Sequence, residues 1–153
     1  MQVIVGATVD DAEEILTLQK KAYITEAEIY NNYEIEPLIQ SLENVKHAFD
    51  TSKFLKCVGN DRIIGAVKAT EKDGICYIGK LMVHPDCQNQ GIGKRLMSEI
   101  ERLFTNVDYE LFTGSKSYKN IAFYESLGYR GFKHEKSPVD GTLFLYMMKN
   151  GEK

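Results

Sequence analysis

Gln88-Asn89-Gln90-Gly91-Ile92-Gly93-Lys94-Arg95 is the stretch whose residue types and spacing speak most directly of chemistry. It follows a strand pattern at 77–83 and opens a helix pattern at 92–104. Two glycines one residue apart at such a junction lack the Cβ atoms that would keep a ligand off the backbone. The first amides of a helix have no internal partner, and the helix dipole adds partial positive charge there. Lys94 and Arg95 add two full charges. The whole is a seat for a phosphate or pyrophosphate. Two common phosphate loops do not fit it. A Walker-type loop needs Ser or Thr after Gly-Lys, and here Arg95 follows Gly93-Lys94. A dinucleotide fingerprint needs a third glycine three positions after the second, where this chain has Leu96.

The elements that must position this loop follow from periodicity. Residues 2–8 read as a first strand, and Thr8-Val9-Asp10-Asp11 as a capping-box-like helix start. Ile15, Leu18, Ala22 and Tyr23 fall on one helical face, and Pro37 opens a second helix with Leu38, Leu42 and Val45 as its stripe. Strands at 54–58 and 62–70 flank the turn Gly59-Asn60-Asp61. Lys72-Asp73-Gly74 turns the chain into a strand at 75–83, which Pro85 closes. The helix after the glycines buries Ile92, Leu96, Ile100 and Leu103. A strand at 109–113 and a helix at 120–127 follow, with Gly128 at its C-terminal cap. Strands at 129–136 and 142–148 finish the chain.

The order is therefore β-α-α-β-β-β-α-β-α-β-β. Three consecutive strands joined by tight turns must be antiparallel. The strand–helix–strand unit at 77–113 gives a parallel pair through a right-handed crossover. The expected fold is α/β with a mixed α+β sheet, mostly antiparallel, carrying helices on both faces. Residues 1–153 suit a single domain. With 43% apolar and 27% charged residues the chain reads as soluble and globular. A net charge of −3 excludes a general nucleic-acid binder, and no apolar run approaches the roughly 18 residues of a membrane span. The first residues lack a signal-peptide pattern. Cys57, Cys76 and Cys87 have neither an even count nor paired spacing, so reduced thiols, no metal site and a cytoplasmic setting are expected.

Gln88-x-x-Gly91-x-Gly93, after a strand ending Leu81-Met82-Val83-His84-Pro85, closely resembles the acyl-CoA motif of the GCN5-related N-acetyltransferase (GNAT) superfamily, Gln/Arg-x-x-Gly-x-Gly/Ala. A second element of that family appears as Asn120-Ile121-Ala122-Phe123-Tyr124-Glu125-Ser126-Leu127-Gly128-Tyr129. The resemblance implies a fold in which the two strands flanking the glycine-loop helix splay apart and admit the cofactor's pantetheine arm. It implies acetyl-CoA as acyl donor, and backbone groups of Leu81, Met82 and Val83 on that arm beside a strand bulge. An amide of Leu81 or Met82 would polarise the thioester carbonyl in the manner of an oxyanion hole. Gln88, Asn89, Gln90, Gly91, Ile92, Gly93, Lys94 and Arg95 would hold the pyrophosphate. Asn120 would bond the pantetheine arm, with Phe123 beside it. Tyr124 matches the family's general acid. A phenol with a pKa near 10 is a reasonable donor to a thiolate near 8.5.

The base is the departure from the pattern. An alkyl ammonium near pKa 10.4 must lose a proton before it attacks. Many relatives carry a glutamate on the strand before the glycine loop, but Ile75-Cys76-Tyr77-Ile78-Gly79-Lys80 has no carboxylate. Glu110, Glu26 and Glu34 are the candidates, and His84 reads as a loop residue. Residues 24–37 carry Glu26, Glu28, Glu34 and Glu36 and no basic side chain, with Tyr23, Tyr30 and Tyr33 interleaved. Such a segment suits a cationic amine acceptor. The expected activity is direct acetyl transfer to a primary amine. The alternatives are a non-catalytic CoA-binding module on the same fold and transfer of a longer acyl group. The terminal strands are free to pair between two copies, which would give a homodimer.

Overall fold

A computed structural model describes residues 1–152. Its strands are β1 (Gln2–Gly6), β2 (Lys53–Gly59), β3 (Arg62–Lys72), β4 (Ile75–Val83), β5 (Asp108–Gly114), β6 (Arg130–Lys136) and β7 (Leu143–Lys149). Its helices are α1 (Ala12–Ala22), α2 (Ile24–Tyr30), α3 (Glu36–Ile39), α4 (Leu42–Ala48), α5 (Ile92–Leu103) and α6 (Tyr118–Ser126). One sheet holds all seven strands in the order β1-β2-β3-β4-β5-β7-β6. Only β4 and β5 run parallel. The mixed sheet expected from the element order is therefore the fold observed.

Two-residue turns set the first hairpins. Asn60-Asp61 and Asp73-Gly74 both take positive φ at both positions, the twist that suits tightly paired strands. Apolar side chains then alternate. Leu55, Cys57, Val67, Cys76 and Ile78 point to one face, where Ile92, Leu96, Met97 and Ile100 of α5 pack on them. Phe54, Ile63, Ala66 and Met82 point to the other, against Ile15 and Leu18 of α1. No helix among the described residues is long and apolar enough to cross a membrane.

The helix expected to run from Pro37 through Val45 is two helices. Gln40 leaves the helical path, with ψ 133°. Its side chain accepts from Gln19 Nε2 at 2.8 Å and from Lys80 Nζ at 3.2 Å, which draws it toward the sheet. Ser41 then starts α4 afresh, its Oγ accepting the Asn44 amide at 3.1 Å. The first strand is also shorter than expected, ending at Gly6.

Two irregularities matter for function. Pairing of β4 with β5 covers only Ile75 with Asp108, Cys76 with Tyr109 and Tyr77 with Glu110. Beyond Tyr77 the strands part. On the other edge of β4, Lys68 pairs with Gly79 and Ala66 with Met82, so β4 carries one residue more than β3 over that step. Lys80 sits in this bulge with φ 54°, a left-handed conformation that is uncommon for a lysine. A bulge bends its strand and re-aims side chains, and this one lies where β4 leaves β5.

Candidate active site

The glycine loop is built as a cradle. Gly91 caps α5 with φ 78°, and a Cβ placed there would meet nothing within 4 Å. The surface beyond it is open to a ligand, while the amides that begin α5 have no helical partner. Gln88 Nε2 donates to Val83 O at 3.1 Å, tying the loop to the end of β4. His84 closes the strand. Its Nδ1 accepts the Asp86 amide at 3.0 Å, so its role is to cap the turn at Pro85–Cys87. Gln88, Asn89, Gln90, Lys94 and Arg95 are exposed. Ile92 differs, because its side chain is buried in the core and only its backbone is available to a ligand. Arg95 donates to Gln2 Oε1, and Gln2 Nε2 to Gln90 Oε1 at 2.7 Å, so β1 braces the loop.

Gly93 is where three elements meet. A Cβ there would lie 3.5 Å from Phe123 Cζ and 3.9 Å from both Leu81 Cδ2 and Val83 Cγ2. The start of α5, the splayed end of β4 and α6 are thus one assembly. Asn120, Phe123 and Tyr124 all stand on α6, and Phe123 and Tyr124 pack edge-on at 5.3 Å.

Opposite α6 stands the α1–α2 junction. Glu26 accepts hydrogen bonds from Ser117 Oγ and, at 3.5 Å, from Asn120 Nδ2. Ser117 is buried, and Tyr30 Oη accepts the Lys116 amide at 2.9 Å, so α2 is fastened to the start of α6 twice. Gly114 is required here, since any Cβ would overlap the Tyr30 hydroxyl. The Tyr124 phenol is pushed up by burial and then by the charge of Glu26. The Tyr23 phenol is pushed up by burial, then by Tyr124, Glu26 and Glu36. Both residues are half-buried, and packing around them still disfavours the charged phenolate.

A third group closes the site. Lys80, aimed by the bulge, donates to Glu36 and to Gln40 at the start and end of α3. Burial lowers the Lys80 ammonium pKa, and Glu36 opposes that shift. Lys68 is likewise lowered by burial, opposed by Glu36. The Glu36 amide donates to Asp140 Oδ2 at 2.9 Å, which fastens the β6–β7 turn over α3. Burial pushes the Asp140 carboxyl up, yet hydrogen bonds from Thr142, Glu36 and Ser137 outweigh it and leave the net shift downward.

The structure therefore brings Leu81, Met82, Val83, Asn120, Phe123, Tyr124 and Glu26 to the mouth of the β4–β5 gap. Glu110 occupies the last paired position of β5, with its side chain on the α1 side of the sheet, away from buried Tyr109 and Leu111. Glu34 is exposed, its amide bonded to Asn32 Oδ1, and it joins none of these groups. Sequence reasoning read Tyr23 and Glu36 only as part of the acidic and aromatic acceptor segment, and it did not single out Lys80 or Ser117. Glu36 carried a signal as part of the acidic run. The re-aiming of Lys80 by a bulge has none.

Residues 22–150 match the acetyltransferase (GNAT) domain family. The chain belongs to that family, and is accordingly an acetyltransferase domain with acetyl-CoA as its acyl donor. It is 28% identical over 123 residues to an uncharacterised N-acetyltransferase, ycf52, of Porphyra purpurea, covering 72% of this chain and 71% of that one. Among solved structures it resembles the PaiA N-acetyltransferase of Thermoplasma acidophilum in complex with coenzyme A, with a TM-score of 0.82. That match has 21% identity and covers 98% of this chain and 99% of the other. A GNAT-family acetyltransferase of Staphylococcus aureus matches with a TM-score of 0.77 and 20% identity, over 98% and 99% of the two chains.

Proposed function

We propose that this chain transfers the acetyl group of acetyl-CoA directly to the nitrogen of a primary amine. The observation that carries the reading is the gap between β4 and β5, which opens beside the Lys80 bulge with Tyr124 and Glu26 at its mouth. The pyrophosphate rests on the α5 amides over Gly91, with Lys94 supplying charge. The pantetheine arm runs into the gap past Val83 and the Asn120 amide, which puts the thioester beside the backbone of Leu81 and Met82. The amine lone pair attacks the carbonyl carbon, and the developing oxyanion is held by a strand amide that needs no reorganisation. The C–N bond forms, the C–S bond breaks, and the thiolate leaves toward Tyr124, which offers its proton. Glu26 is the carboxylate placed to receive the proton lost by the amine, in place of a glutamate on β4.

The test is incubation with acetyl-CoA and a broad panel of primary amines, following free CoA thiol and acetylated product by mass. Thiol release with matching N-acetyl product supports the reading. Tight CoA binding with no turnover on any amine would replace it with a non-catalytic CoA-binding module.

A further inference from the structure

On the α1 side of the sheet, α1 to α4 cover β2 to β4 and reach β5, β7 and β6 only at their ends, through Tyr30 over Gly114 and Glu36 at Asp140. Tyr109, Leu111 and Met147 point to the α5 core, so Glu110, Phe112 and Tyr146 point the other way. Cross-strand partners share a face, and Phe112 pairs with Tyr146 while Gly114 pairs with Phe144. The rings form a strip. Phe112 lies 4.6 Å from Phe144 and 5.1 Å from Tyr146, and Phe132 lies 6.4 Å from Tyr146. Phe112 is 49% exposed and Phe132 44%. Apolar rings left contiguous at a surface usually mark a binding site.

The strip leads to the gap. Tyr77 and Glu110 are the last paired residues of β4 and β5, and two steps further stand Gly79 and Phe112. Gly79 offers no side chain of its own, the Lys68 stem lies over it with Cε 3.5 Å from where a Cβ would stand, and Lys80 is drawn aside to Glu36 and Gln40. The charges are unequal along the strip. At the gap end Glu110 adjoins Phe112 and Glu26 lies near Ser117, facing Lys68 and the Glu36-paired Lys80, whereas Lys133 sits 4.7 Å over the Tyr146 ring at the far end, paired with Glu135 at 3.2 Å. An ammonium is drawn to the gap end, and the body attached to it then lies along the rings.

We infer that the acceptor is an amine carrying a planar aromatic body, which stacks on Phe112, Phe144 and Tyr146 while its nitrogen enters the β4–β5 gap. This rests on the acetyl-transfer reading for its chemistry but not for its binding. The chain contains no tryptophan, so the indole fluorescence of tryptamine can be followed without protein background. Tryptamine anisotropy should rise on titration with the CoA-loaded protein. The kcat/KM for 2-phenylethylamine should exceed that for n-butylamine and for putrescine by about tenfold or more, the scale of one aromatic stacking contact plus its burial. Phe112→Ala should lower tryptamine affinity and this preference together, while Phe112→Tyr retains both. Turnover of all amines at similar kcat/KM, with tryptamine anisotropy unmoved, would overturn the inference and leave acetyl transfer standing. Phe112-sensitive tryptamine binding with no turnover would support the strip and remove the transfer reading. Sedimentation showing a dimer that Phe112→Ala dissociates would overturn the inference, because the strip would then be covered by a second copy.

Discussion

The surroundings of Tyr124 keep it protonated and at the same time make it a weaker acid than a free phenol. Burial and the neighbouring Glu26 charge raise its pKa, so it keeps its proton across neutral pH and beyond the ordinary phenol range near 10. In the proposed reaction it would therefore still carry its proton when the CoA thiolate departs. Tyr124→Phe keeps the ring packed against Phe123 and Tyr129 but removes the proton. Turnover should fall by about a hundredfold or more, with the CoA dissociation constant by calorimetry changed less than about threefold. The wild-type rate should also show no falling basic limb attributable to this phenol below pH of about 10. A basic limb appearing well below that, and absent in Tyr124→Phe, would contradict the shift. Tyr124 and Asn120 were legible in the sequence because they sit in one short helical motif, where spacing alone sets their relation. The meeting of Tyr23 and Glu36 with Lys80 was not, since a helix break and a bulge must first re-aim them.

At the scale of elements, the two loop glycines do different work. Gly91 has φ 78°, so an alanine there incurs the left-handed penalty of about 1–2 kcal/mol and also puts a methyl group into the open cradle. Gly93 has ordinary helical geometry, and its added Cβ would make only van der Waals contacts with Phe123, Leu81 and Val83. Gly93→Ala should thus be neutral or stabilising by up to about 1 kcal/mol, from helix propensity. Gly91→Ala should destabilise and weaken CoA binding together. Urea unfolding and CoA titration of the two variants separate these outcomes, and equal losses in both would refute the distinction. Most of the sheet was readable from turn residues and alternation, including the hairpins at Asn60-Asp61 and Asp73-Gly74. The parallel β4–β5 pair followed from the crossover rule. Its short length was legible only through the family resemblance, which implies splayed strands beside a bulge, and the insertion of β7 between β5 and β6 and the division into α3 and α4 were not legible. Those depend on side chains such as Gln40 and Lys80 finding partners far along the chain, which no local pattern records.

Across the whole molecule, buried phenols tie the two ends of the site to the stability of the fold. Tyr23 and Tyr124 lie at the gap, while Tyr129 donates to Glu101 Oε2 at 3.0 Å behind α5, where Lys149 also reaches Glu101 at 2.7 Å. Burial raises all three phenols, joined at Tyr129 by the charge and hydrogen bond of Glu101. Burial also pushes the Cys76 thiol up, to about 12. A raised pKa means that the folded state holds its proton more tightly than the unfolded chain does. For the phenols this stabilisation is complete below the unfolded value of about 10, and for a thiol below about 8.5. It is lost as pH rises from those values toward the folded ones, so each further unit favours unfolding. The melting temperature should accordingly fall steeply above pH of about 10. Tyrosinate absorbance from these three residues should appear together with the loss of far-ultraviolet circular dichroism rather than ahead of it. Tyr129→Phe retains the ring yet removes one ionisation, so it should blunt the alkaline fall even though it frees Glu101 from a hydrogen bond at neutral pH. Full tyrosine ionisation near pH of about 10 with the dichroism intact would show that these phenols are solvated and titrate as free tyrosines do.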